Sequence, residues 1–392
     1  MRTIWSSFRE EILSAARSPG SVIVLVGAIL LYGLFYPIPY SPEVLKEVPI
    51  IVVDLDRTGL SRTLVRMVET SELLRIQGRA ASLIEAERDL LRLQAGGILL
   101  IPAGFEQSLL RGEQATVAAF ADASYLLIYR QVLTGLLSAS GTFSAGVEIQ
   151  RLAARGVPER AAIASGWPLR YAGRPLFNAV EGYATFVVPS VLLLILQQTI
   201  LIGTGLVEGN RFVRGVARSP WPLSTVPLVL LGRALFYLLL YWFNAWFYLG
   251  PLSRWYGFPS EGQTLVSVLF AQPYLLGAIF LGLAATPFFH QPQRSMQVFA
   301  VTSMPMLLLA GVVWPAELLP AWVRTLSLLL PSTPAIGGFL RINMMGANLA
   351  EVFPEFLHSW ILAVAYFVLA CLFHWLAHRR VASHTPPVES DS

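Results

Sequence analysis

Apolar residues in this chain gather in runs of about twenty, separated by short polar breaks, and that clustering sets the first expectation. A helix rising about 1.5 Å per residue needs roughly 20 apolar residues to cross about 30 Å of hydrocarbon. Six runs reach that length: 19–40, 182–206, 230–250, 264–289, 295–313 and 356–377. The first follows a polar start with Arg2, Arg9, Glu10, Glu11 and Arg17 and lacks a small-residue cleavage site, which favours a retained anchor over a removed signal peptide.

Between the first and second runs the pattern changes to short alternations. VPIIVV (48–53) predicts a buried strand, 60–70 an amphipathic helix, 73–77 a strand, 82–94 a helix, GGILLIP (96–102) a fully buried strand and 115–122 a fourth strand. Strands alternating with helices imply an α/β unit. A long helix over 124–155 then serves as a stalk, and Pro158, Pro168 and Pro175 break the approach to the second span. The fold class that follows is an α-helical polytopic membrane protein with six transmembrane helices. An extracytoplasmic α/β domain (41–178, stalk included) is inserted between spans one and two. An amphipathic segment (1–18) precedes the first span, five spans occupy 179–380, and a tail (381–392) ends the chain.

Composition agrees with that reading. Of 392 residues, 55% are hydrophobic and 13% charged, against about a quarter charged in soluble domains. The formal charge of +4 does not imply nucleic acid, because the basic residues are scattered and form no stripe. Lys46 is the sole lysine and precedes Glu47, so the phosphate loop G-x-x-x-x-G-K-[ST] is absent and the chain is no P-loop ATPase. One cysteine, Cys371, excludes an intramolecular disulfide and a multi-cysteine metal site.

Orientation follows from arginines in the short loops. Arg211, Arg214 and Arg218, Arg294, the tail's Arg379 and Arg380, and the amino-terminal arginines fall on one side if there are six spans, whereas 251–263 offers only Arg254. Both termini are therefore expected in the cytoplasm and the α/β domain outside. The segment 311–341 is apolar, yet Pro315, Pro320, Pro331 and Pro334 forbid one continuous helix. It predicts short re-entrant or interfacial helices at an outer mouth, with an interfacial loop that pads the bundle as the alternative.

Candidate chemistry is sparse. Asp54 and Asp56 have the spacing of a hard-cation pair, but two carboxylates alone make no selective site, and the favoured reading is that Asp56 or a neighbour caps the helix beginning near Leu60 while Asp54 makes a turn at the strand end. The histidines are scattered; His374 and His378 share a helical face at the end of the last span, where an interfacial role is expected. Neither a metal site nor a G-x-S-x-G elbow is predicted. Arg233 is read as snorkelling to the interface from the start of the third span. Glu181, Gln197, Gln198 and Asn244 are candidate pathway residues, although amides on spanning helices more often bind a neighbouring helix. Aromatics including Trp242, Trp246, Tyr248 and Trp255 read mostly as an interfacial belt.

Several stretches together resemble the ABC-2 type permease family, more narrowly bacterial inner-membrane exporter permeases with a large external domain. They are ARSPG (16–20), VVDLDRTGLSRTLVR (52–66), IPAGFEQSLLRGEQA (101–115), FADASYLLIYRQ (120–131), VVWPAELLPAW from 312 and LLPSTPAIGGFLRINMMGA up to 347. The resemblance implies a separate ABC ATPase that binds the ATP and magnesium, so the chain itself carries no cofactor. It also implies a second permease chain, identical or distinct, membrane lipids as surroundings and in some cases a periplasmic adaptor; nucleic acid is not a partner. The elbow around Glu208, Arg211, Arg214 and Gly215, with Arg9 and Arg17 of the amino-terminal segment, would couple to the ATPase. This elbow lacks the second acid of the family's E-x-E-x-G-T pattern. Trp314, Pro315, Pro320, Pro331 and Pro334 would form the external gate. Two rivals remain: a non-transporting receptor or scaffold with an external binding domain, and a metal-dependent transferase using Asp54 and Asp56.

Overall fold

The computed structural model describes residues 2–40, 44–166, 176–178, 182–215, 224–258, 264–314 and 318–382. It divides into a helical unit, Met1–Glu43 with Pro175–Ser392, and an α/β unit, Val44–Arg174. Along the chain, α1 (Arg2–Ala16) leads into α2 (Pro19–Tyr40), which contains a π turn at Ile23–Gly27. The α/β unit follows with β1 (Val48–Asp54), α3 (Gly59–Glu69), β2 (Leu74–Ala80), α4 (Leu83–Arg92), β3 (Gly97–Ile101), α5 (Phe105–Arg111), β4 (Ala118–Ala121), α6 (Leu126–Ala154) and α7 (Glu159–Gly166). The helical unit resumes with α8 (Tyr183–Val213), α9 (Val226–Phe247), α10 (Thr264–Ala285), α11 (Pro292–Leu309), α12 (Ala321–Ser327), α13 (Ser332–Met345) and α14 (Phe353–Ala382).

In the α/β unit the strand order is β2-β1-β3-β4, with β1 parallel to both neighbours and β4 antiparallel to β3. Strand β1 is central and buried on both faces, which is why its sequence is an unbroken apolar run. On one face Val52 packs with Leu64 and Val68 of α3 and with Val132, Leu136 and Phe143 of α6; on the other, Ile51 and Val53 pack with Ala86 of α4. Gly96 and Gly97 permit the close approach of α6, since a Cβ on Gly96 would lie 2.5 Å from Ile128 Cγ2. Strand β2 runs three residues past the expected 77, and α5 occupies 105–111, between the expected third and fourth strands, where no element was predicted.

Among the described residues six helices are long and apolar enough to cross a membrane: Pro19–Tyr40, Leu126–Ala154, Tyr183–Val213, Val226–Trp255, Leu265–Phe288 and Phe353–Ala377. Five coincide with expected spans. The sixth is α6, read above as a stalk, whereas the expected span at 295–313 is not in the set. The physical reasons are visible in both helices. Much of the apolar content of α6 covers the sheet, and α11 dilutes its apolar residues with Gln293, Arg294, Gln297, Thr302 and Ser303. Helix α11 nevertheless packs along α8, where a Cβ on Gly205 would meet Ser295 Cβ at 2.6 Å.

The described part of the proline-broken segment, 311–314 and 318–341, contains two helices, α12 and the first part of α13. Pro320 is the N-cap of α12, Pro331 the N-cap of α13, and Pro334 stands in the first turn of α13, where a missing N–H costs no helical hydrogen bond. Helix α13 is drawn into the bundle core through Ala335, Ile336, Phe339 and Ile342, with Gly338 against the ring of Phe270.

Candidate functional site

Helix α8 runs seven residues past its expected end at 206, so Glu208 and Arg211 lie on its last turns and not in a loop. Arg214 is the C-cap, and Gly215 at φ +64° supplies the left-handed residue that ends the helix. Residues 216–223 lie outside the described part, and so does the proline of the expected elbow.

The extension delivers two charges to a buried cluster. Glu11 of α1 places Oε2 2.7 Å from Arg211 Nη2 and 3.6 Å from Arg233 Nε of α9. Glu208 Oε2 lies 2.9 Å from Arg233 Nη1 and 3.3 Å from Arg211 Nη1. Tyr237, one turn beyond Arg233, donates its hydroxyl to Glu11 Oε1 at 2.7 Å, and Arg211 Nε donates to Ser14 Oγ at 3.0 Å. The Glu11 side chain is 2% exposed, Arg233 8% and Arg211 10%. Two carboxylates thus face two guanidiniums, and each arginine touches both acids. Such charges are tolerated away from water only when paired and hydrogen-bonded.

Arg233 does not snorkel: its charge is neutralised inside the bundle by acids from two other helices, so it has no need to reach the interface. His374 is also buried, with Nε2 3.2 Å from Thr286 Oγ1 and 3.1 Å from Leu283 O, so it joins α14 to α10 and is not an interfacial residue. Glu11 is the member that sequence reading missed. The available signal was an acid on the same face of α1 as Ser7 and Ala15, a buried stripe that Ser18 continues beyond the helix end and that is too polar to face lipid.

The contact between α1 and the bundle is close and specific. A Cβ on Gly232 would lie 2.4 Å from the backbone oxygen of Ile4, so α1 rests directly on α9 there. Asn210 Nδ2 donates to Ser18 Oγ at 2.8 Å, and Arg214 Nη2 donates to the Arg17 carbonyl at 2.7 Å. Arg9, Arg17 and Arg214 are exposed. The outer face of α1 mixes Trp5, Ile12 and Leu13 with Arg9, a composition suited to a lipid interface.

The other expected groups separate. Gln197 is fully buried and donates to Met306 Sδ at 3.4 Å, and Gln198 donates to the Phe299 carbonyl, so both amides bind α11. Asn244 is buried on α9. Glu181 and Pro315 lie outside the described residues. Of the gate residues, Trp314 and Pro320 are exposed, whereas Pro331 and Pro334 are buried. Tyr248 is not part of an aromatic belt: it is buried and donates to the Ile29 carbonyl at 2.6 Å.

Asp54 and Asp56 are occupied by their own domain. Asp54 Oδ1 accepts from the amides of Asp56 (3.1 Å) and Arg57 (2.8 Å), and Oδ2 accepts from Ser61 Oγ at 2.8 Å. Thr58, with Ser61 reciprocating, caps α3. Asp56 instead caps α5: Oδ1 accepts from the amides of Gly104 (2.8 Å) and Phe105 (3.0 Å), and Oδ2 from Glu106 N (3.0 Å) and Thr58 Oγ1 (2.6 Å). Burial works against the Asp56 charge, but these hydrogen bonds hold its carboxyl below the usual range. Neither acid is a free ligand pair, and among the described residues no three His, Cys, Asp or Glu side chains converge to hold a metal.

The comparisons agree with this architecture. Residues 19–372 match the family described as ABC-2 family transporter protein. That match covers most of the chain, which therefore belongs to the ABC-2 family: it is a multi-pass membrane protein and the permease subunit of an ABC transporter, a class that works with an ABC ATPase. No curated protein matches the chain by sequence.

Proposed function

We propose that the chain is the membrane subunit of a bacterial ABC exporter that moves hydrophobic or amphiphilic compounds, such as drugs or lipids, out of the cytoplasm or inner membrane. It works in the inner membrane as a homo- or heterodimer with separate ATPase chains, which bind the ATP and magnesium, and has no catalytic site or cofactor of its own. Both termini are cytoplasmic and the α/β domain is periplasmic, where an adaptor receives or hands on cargo. This topology requires α11 to span with its polar residues turned to α8, and α6 to stay with the sheet it covers.

The observation that carries the reading is the buried cluster of Glu11, Glu208, Arg211 and Arg233. It fastens the amino-terminal helix to the ends of two bundle helices, so a push on either the α1 surface or the elbow moves both together. Arg9, Arg17, Arg214 and Gly215 are the exposed groups that meet the ATPase; Glu208 and Arg211 act behind them as the link. The nucleotide then biases two states of the dimer, and the residues from Trp314 to Pro334 form the external gate.

A mild-detergent pull-down of the tagged protein, followed by mass spectrometry, tests the assembly. A P-loop ATPase in stoichiometric amount is expected. Recovery of the chain alone, with ABC ATPases detected elsewhere in the same membranes, would instead favour a receptor or scaffold. Arg214→Glu should weaken ATPase retention without unfolding the permease; unchanged retention would remove the elbow from the interface.

A further inference from the structure

The carboxyl ends of parallel strands are where α/β folds receive ligands, most often at the point where the strand order reverses. Here that point lies between β1 and β3, because α3 covers one face of the sheet and α4 the other. The Asp56 carboxylate already fills it by capping α5. Beside it, at the ends of β1 and β2, is a cavity of about 850 Å3, within the size range of small-molecule sites.

Its lining is unusually cationic. Arg57 follows β1, Arg62 and Arg66 stand one turn apart on α3, and Arg79 is next to last in β2. Like charges four apart on a helix repel by a few tenths of a kcal/mol, so the pair is unfavourable without a counter-charge. None of the four has a carboxylate within ion-pairing distance among the described residues. The one acid in the lining, Asp54, is committed to two amides and Ser61. Arg62 and Arg66 spend a donor each on neutral oxygens, Arg57 O and Thr63 Oγ1. Arg57 itself is held at φ +54°, a left-handed conformation unfavourable for a side chain with a Cβ. Val65 and Ala80 supply an apolar wall.

We propose that this cavity binds a phosphate monoester, its phosphate clasped by the arginines and its organic part laid against Val65 and Ala80. Guanidinium forks match the oxygens of phosphates and carboxylates in pairs. Four of them offer more donors than a single carboxylate's two oxygens can accept. A phosphate monoester brings three oxygens and close to two negative charges at neutral pH. The group can arrive as a soluble organic phosphate or as the headgroup of a phosphatidic-acid-like lipid, and the site is independent of the transport reading.

The test uses the full chain in neutral detergent and measures binding calorimetrically with phenyl phosphate and with short-chain phosphatidic acid. Saturable binding of either probe is expected, weakening as salt rises and falling at least tenfold in Arg66→Gln/Arg79→Gln but not in Arg92→Gln/Arg111→Gln, which changes arginines outside the cavity. Tighter binding of the lipid would assign the site to a headgroup, and equal or tighter binding of phenyl phosphate to a soluble ester. Should the double glutamine variant fail to fold, Arg66→Lys/Arg79→Lys keeps the charge, loses the forks and should still weaken binding severalfold. Absence of saturable binding by both probes, or equal affinity in the cavity variants, would overturn the proposal.

Discussion

The two units of this protein stabilise buried or half-buried acids in opposite ways. In the α/β unit, Asp54 and Asp56 are satisfied by backbone amides and hydroxyls at a strand end and a helix start, where unused N–H groups are plentiful. In the helical unit, Glu11 and Glu208 lie where the backbone donors are consumed by the helices themselves. Only side chains can meet them, and Arg211 and Arg233 do so: Arg233 from α9 reaches both acids, and Arg211 joins Glu11 across helices and Glu208 along its own. The aspartates therefore shape one domain end, whereas the glutamates tie α1, α8 and α9 into one mechanical element. An acid's structural reach depends on whether the backbone around it still has donors to give.

That contrast can be broken most severely at Glu11. Glu11→Leu leaves two guanidiniums short of an acid inside the bundle, and removing one partner of a buried pair costs about 3–5 kcal/mol. Thermal unfolding in detergent should show a far larger loss than any single change at Asp54 or Asp56. Next comes Gly232→Val, which drives a side chain into the backbone of α1. Overpacking of this kind costs about 1–3 kcal/mol, and protease cleavage after Arg9 or Arg17 should accelerate as α1 lifts.

Asp56→Ala removes the cap of α5, a loss of about 0.5–2 kcal/mol, read as faster amide exchange over residues 104–111. The sign of its pH dependence follows from the lowered carboxyl. A depressed folded-state pKa stabilises above the unfolded value, near 3.9, and that contribution disappears as pH falls through the folded one. The pH dependence of that exchange between about pH 5 and pH 3 should therefore flatten in Asp56→Asn. Smallest of all is the effect of chelation. Because both aspartates are engaged by amides and hydroxyls, excess EDTA should leave the melting temperature unchanged, and a metal-dependent shift would revive the transferase reading.

How much of this was legible in the sequence follows the same divide. Thr58 and Ser61 announce a helix start within four residues, and the apolar run of β1 announces its own burial; both are local patterns. That Asp56 caps a helix 48 residues away is not legible, since nothing in VVDLDRTGLSR specifies which N-terminus comes to it. The same holds for Arg233, whose isolated position near a span end suggested snorkelling until α1 brought Glu11 beside it. Tyr237 and Glu11 are 226 positions apart. The helix α6 misleads in the other direction: apolarity alone does not separate a helix that covers a sheet from one that meets lipid.

The most direct test of the central claim, that the charge cluster couples the permease to its ATPase, is the rate of ATP hydrolysis by the purified complex in lipid nanodiscs. Glu11→Gln keeps the side chain's shape and removes its charge, and Asp56→Asn serves as the matched change in the other unit. The account predicts that both variants retain the ATPase chains, that Asp56→Asn hydrolyses ATP at the unaltered rate, and that Glu11→Gln loses at least tenfold. Equal rates in Glu11→Gln and the unmodified complex would contradict it.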